Sequence, residues 1–119
     1  MKYIKGISNY NNKLEDIEDV FKDFGFDFDC KVQFIHGKIH NAGDILIDIG
    51  LDGINKLLGV KDCLNRLKDS LVIISVSVKE HPIGEYPQVN TYDVSYFDEY
   101  RIKNINSRIS RIDIKFEII

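Results

Sequence analysis

Residues 24–33 read Phe-Gly-Phe-Asp-Phe-Asp-Cys-Lys-Val-Gln. Phe26, Phe28, Cys30, Val32 and Phe34 fall on one side of a period-two repeat, and Asp27, Asp29, Lys31 and Gln33 on the other. That is the pattern of a half-buried strand, one face for the core and one for water. Upstream, Leu14, Ile17, Phe21 and Phe24 recur at three-and-four spacing with Val20 alongside, leaving Asp16, Asp19, Lys22 and Asp23 outside the apolar stripe. The spacing predicts an amphipathic helix with an acidic back. Asn12 is placed to cap it, Glu15 completes a capping box, and Gly25, tolerant of positive φ, is expected to end it. Ser8 to Asn12 reads as a polar turn, and Lys2 to Ile7 as a first strand.

Downstream of Phe34, the glycines and Asn41 between Ile35 and Gly43 mark a turn, after which Ile45, Ile47, Ile49 and Leu51 alternate. Two alternating runs with a short connection predict an antiparallel hairpin from Phe26 to Gly50. From Asp52 to Asp69 the period becomes helical at Leu57, Val60, Leu64 and Leu67, with Gly53 and Gly59 interrupting, so two short helices or one broken helix is expected. Leu71 to Val78 is apolar on both faces, with Val72, Ile74, Val76 and Val78 on one, which predicts an interior strand. Glu80 to Pro87 holds both prolines and reads as an exposed loop. Gln88 to Phe97 alternates with Tyr92, Val94 and Tyr96 on one face, and Lys103 to Ser107 has the composition of a hairpin connection. Ile112, Ile114, Phe116 and Ile118 then alternate with Arg111, Asp113, Lys115 and Glu117 in a closing strand. The whole predicts one α+β domain over residues 1–119: a mainly antiparallel sheet of five to six strands, with the N-terminal amphipathic helix and a second, short or broken helix packed on it.

A chain of 119 residues with 44% hydrophobic and 29% charged residues is ordinary for one soluble domain. No apolar run approaches the ~20 residues that cross a bilayer, and Met1 to Gly6 lacks the apolar core of a signal peptide. Cys30 and Cys63 have no CxxC and no histidine at ligand spacing, which points to two reduced, buried thiols in a cytoplasm. Abundant isoleucine, lysine and asparagine beside a single alanine, Ala42, suggest an AT-rich, bacterial coding sequence.

Charge is unevenly placed. Residues 1–30 carry four basic and seven acidic side chains, and residues 71–100 one and five. A nucleic-acid binder concentrates Lys and Arg where phosphates lie, so direct nucleic-acid binding is not expected. Acidic segments instead attract a basic partner, although solubility accounts for the same charge.

No phosphate-cradling GxxxxGK[ST] or GxGxxG is present, nor HExxH, nor GxSxG, so no enzyme class is indicated and no cofactor is expected. His36 and His40 with Asp44 and Asp48 are the nearest approach to a ligand cluster, but HxxxH suits a helix and this stretch reads as a turn, so no metal site is assigned. Asp113-Ile-Lys115 matches the end of a D…(D/E)xK nuclease core, yet no upstream acid can be named for it. Tyr86, Tyr92, Tyr96, Phe97 and Tyr100 are interleaved with Glu85, Asp93, Asp98 and Glu99. Tyrosine among acids suits a protein interface better than an RNA-stacking platform, which interleaves aromatics with Lys or Arg. Edge-strand tyrosines packed on their own core are the competing reading.

In these features, notably Leu14 to Asp29 and Tyr86 to Tyr100, the chain resembles the immunity proteins that neutralise bacterial polymorphic or contact-dependent growth-inhibition toxins. The resemblance lies in general character and carries no motif. It implies a non-enzymatic, cytoplasmic protein that binds one cognate toxin, a basic nuclease in many cases, and is a monomer or weak homodimer when free. Carboxylates would then stand where phosphates would, with aromatic anchors among them. Two patches qualify: Asp19, Asp23, Asp27 and Asp29, or Glu85, Asp93, Asp98 and Glu99 with Tyr92, Tyr96 and Tyr100 as anchors. A self-associating subunit pairing through the Gln88 to Phe97 edge is the first alternative, and a small enzyme the second.

Overall fold

The computed structural model describes residues 7–36, 41–50, 53–105 and 108–119. Helix α1 (Ile7–Asp27) buries Ile17, Phe21 and Phe24, as the three-and-four spacing requires. It is longer than expected at both ends. Neither proline nor glycine occurs between Ile7 and Phe24, so nothing stops the helix propagating back through Ser8 to Asn12, and Asn12 is not its start. Ile7 opens this helix instead of closing a strand, and the rest of the expected first strand lies outside the described residues.

Gly25 does not end α1 either. The left-handed residue is Asp29, at φ 53°, and the Cys30 amide donates to the Gly25 carbonyl at 2.9 Å while the Asp29 amide donates to Phe26 at 3.4 Å. This pair of bonds is a Schellman ending, which satisfies carbonyls the last turn leaves free. Glycine is needed at position 25 for a different reason: a Cβ there would lie 2.9 Å from the Cys30 carbonyl oxygen, where the chain folds back over the helix. Phe26 therefore stands on a helix and is 89% exposed, not part of a core-facing strand. Phe24 and Phe28, four apart, stack with ring centroids at 4.9 Å.

The strands are β1 (Lys31–His36), β2 (Ala42–Asp48), β3 (Leu71–His81), β4 (Gln88–Tyr92) and β5 (Arg108–Ile118). They form one sheet in the order β1-β2-β5-β3-β4, every neighbouring pair antiparallel. The expected hairpin is present, but starts at Lys31, opposite Asp48. Ile45 and Ile47 of β2 with Ile112, Ile114 and Phe116 of β5 are buried on one face. At about 1.5–3 kcal/mol for each such side chain, this row decides which face the helices cover. β3 changes phase midway. A bulge at Ile74 puts Leu71 and Ile73 on the same covered face as Val76 and Val78, leaving Val72 and Ile74 about half exposed on the other. The single face expected for Val72, Ile74, Val76 and Val78 is thereby split.

Helix α2 (Gly53–Arg66) is one unbroken helix. Gly59 does not interrupt it; a Cβ there would meet the Phe24 and Phe28 rings at 2.8 Å, so the glycine lets α1 approach. β4 stops at Tyr92. Asp93 accepts from the Ser95 amide and opens a 3-10 turn (Val94–Phe97), and Asp98 accepts from the Arg101 amide and opens α3 (Glu99–Lys103). The expected strand to Phe97 is replaced by this helical crossover, which takes in Lys103 and carries the chain over β3, so that β4 and β5 are not neighbours in the sheet; Asn106 and Ser107 of the expected hairpin connection lie outside the described residues.

The helices thus cover one face. The other presents Asp44, Leu46 and Asp48 beside Lys115, Asp113 and Arg111, with Ser75, Ser77 and Lys79 next to them.

Candidate partner-binding site

A helix turns about 100° per residue, so Asp16, Asp19, Asp23 and Asp27 form one strip along α1. All four are exposed, and among the described residues Asp19, Asp23 and Asp27 enter no ion pair. Phe26 projects from the same outer side of the helix, nearly opposite the buried Ile17 and Phe21. Helix α2 adds two charges that sequence reasoning did not bring here: Asp62 and Arg66 line, with Asp23 and Asp27, a groove of about 120 Å³ floored by Phe24 and Phe28. Cys63 lies in its wall, its thiol pushed up to about 11, chiefly by burial, with Arg66 working against the shift and Asp62 with it. Asp29, grouped with the strip by sequence, lies on the other flank of α1, in a hollow shared with Lys22, Phe26 and Val32. Phe26 therefore borders both.

The second patch is taken apart by the fold. Asp93 and Asp98 cap the helical crossover, and Ser95 bonds hold the Asp93 carboxyl below its ordinary pKa. Glu99 pairs with Lys103 at 2.8 Å and lies 3.9 Å from Lys61; the Lys103 hydrogen bond and charge lower its pKa. Tyr96 is 2% exposed and belongs to the core. Glu85 is exposed on the β3–β4 loop, at the end of β4 remote from Tyr92. Tyr100 remains exposed.

Tyr92 and Tyr96 do meet, with ring centroids 4.9 Å apart, in a setting that sequence did not reveal. Glu80, on the helix-covered face of β3, accepts from the Tyr92 hydroxyl, and this bond is the main cause of that phenol's raised pKa. The Arg101 guanidinium lies over Tyr92 at 4.5 Å and Tyr96 at 5.2 Å. These side chains, with Asn104, Ile105 and Ile109, line an open-sided pocket of about 190 Å³.

On the uncovered sheet face, Asp44 of β2 lies opposite Lys115 and one row from Asp113. Burial first, then the neighbouring Asp44, pushes the Asp113 carboxyl up to about 6, against the pull of Lys115. Asp48 bonds Arg111 at 2.9 Å, and His40 lies outside the described residues. Among the described residues no three His, Cys, Asp or Glu side chains gather as a metal site, and no helix is long and apolar enough to cross a membrane.

No family model, characterised protein or solved structure matches this chain.

Proposed function

We propose that the protein is a non-enzymatic binding module of the immunity type, which docks the outer side of α1 onto a basic protein toxin and neutralises it in the cytoplasm. The observation that carries this reading is Phe26, 89% exposed beside the Asp19, Asp23 and Asp27 carboxylates. A phenylalanine left in water on an ordered helix has no role in the core, and hot spots centre on such aromatic anchors. The carboxylates around it steer a basic surface toward the anchor and disfavour acidic competitors. Asp62 extends the acidic field, and Arg66 sets a boundary to it.

Co-expression with the protein encoded immediately upstream tests the reading. A stable complex and protection from that protein's toxicity are expected. Absence of both would overturn it.

A second reading, self-association, draws on β4. Gln88 to Tyr92 is an edge strand without a charged residue, and Val89 is 68% exposed on it, whereas natural edges are commonly guarded by lysine or proline. Light scattering over rising concentration separates the two: this second reading requires a dimer, the first does not.

A further inference from the structure

The open-sided cavity beside the crossover is distinct from the α1 surface and is built unlike a gap in a core. Glu80 and Arg101, both half-buried, line it without pairing to each other, since among the described residues neither has an ion-pair partner within 4.0 Å. The Tyr96 hydroxyl is fully buried in the same wall and has no hydrogen-bond partner among the described residues. A buried hydroxyl left unsatisfied costs about 1–3 kcal/mol, so such groups are usually matched by something. Burial, and then the Glu80 charge, raise the pKa of this phenol, which keeps it a proton donor.

The donors and acceptors are separated in a definite way. Arg101 offers a planar fork of N–H groups and Tyr96 an O–H, together a set suited to a carboxylate. One Glu80 oxygen takes the Tyr92 hydroxyl, and the other is open to a cationic donor. A simple carboxylic acid would meet Glu80 as a like charge, and a simple amine would meet Arg101. A molecule with both charges turns each repulsion into an attraction. Ile105 and Ile109 supply an apolar wall.

We propose that this cavity binds a small free α-amino acid with an aliphatic side chain, its carboxylate on Arg101 and Tyr96, its ammonium group on Glu80, and its side chain against Ile105 and Ile109.

The test is a titration of the isotope-labelled full chain with the neutral aliphatic L-amino acids, followed by amide NMR shifts. Saturable shifts at Glu80, Tyr96, Arg101 and Asn104 are expected for at least one of them in the millimolar range. The N-acetyl derivative and the matching acid without its amine should bind at least about tenfold more weakly. Glu80→Gln keeps an acceptor for Tyr92 and should lose the same factor; Tyr96→Phe should weaken binding while leaving the fold intact, as thermal unfolding would confirm. Absence of saturable shifts with every amino acid, leaving the cavity to water only, would overturn the proposal. So would equal binding of the N-acetyl derivative to the unaltered protein, an outcome that needs no variant to fold.

Discussion

Replacing Asp113 by asparagine should stabilise the protein at neutral pH and do nothing in acid. Asp113 sits on the uncovered face of β5 between Leu46 of β2 and Ser77 of β3, with Asp44 and Lys115 one row away, and its Oδ1 is buried without a partner among the described residues. Its pKa rises from 3.8 to about 6 on folding. The folded state therefore binds the extra proton, and the favourable contribution of this group is complete below about pH 4 and lost as pH rises through about 6. Two pKa units are worth about 3 kcal/mol, but the residue is partly exposed and solvent screens the pair, so about 1 kcal/mol is the expected penalty at about pH 7.5. Asparagine has the same shape, carries no charge and can donate to Asp44. With a urea dependence of about 1–3 kcal/mol per molar, Asp113→Asn should raise the unfolding midpoint by about half a molar at pH 7.5 and leave it unchanged at pH 4. An equal shift at both pH values, or destabilisation at neutral pH, would refute the account of the carboxyl pair.

Two further substitutions test the local geometry. Asp29→Gly relieves a non-glycine residue in the left-handed region at the end of α1 and should raise stability by about 0.5–1 kcal/mol in chemical denaturation, without altering partner binding, because Asp29 lies off the acidic strip. Gly59→Ala drives a Cβ to 2.8 Å from two stacked rings, so the overpacking cost of about 1–3 kcal/mol should exceed the about 1 kcal/mol that alanine gains in a helix; a higher melting temperature would contradict the packing described.

Strands β2 and β5 could be read directly, since Ile45 and Ile47, and Ile112, Ile114 and Phe116, alternate without interruption and are buried as read. The opening stretch could not. Phenylalanines at 24, 26 and 28 satisfy a strand period of two, but 24 and 28 alone satisfy a helix, and only tertiary packing on Gly59 selects the second. Gly25 is a helix-ending signal by composition, while its real constraint is a carbonyl returning from Cys30, a contact beyond the reach of local rules. The bulge at Ile74 has no signature in Ile-Ile-Ser. Asp93 and Asp98 read in the sequence as patch carboxylates and not as caps, although Asp-Val-Ser and Asp-Glu-Tyr-Arg are ordinary capping sequences, because the tyrosine alternation across them favours a strand. Glu80 and Arg101 meet only through the crossover, so their cavity needed the fold. The same holds for Asp44 and Asp113, which lie diagonally across paired strands far apart in sequence, and for Phe26, whose exposure on α1 distinguishes one of the two candidate patches from the other.

The central claim is that the outer side of α1 holds a basic partner. It is tested most directly by measuring the affinity of the upstream-encoded protein for the unaltered chain, for Phe26→Ala and for Asp23→Lys with Asp27→Lys. The account predicts a loss of about 2 kcal/mol, roughly 30-fold, for the phenylalanine and a slower, salt-sensitive association for the charge reversal, with melting temperatures nearly unchanged. A complex that forms with equal affinity in all three would contradict it.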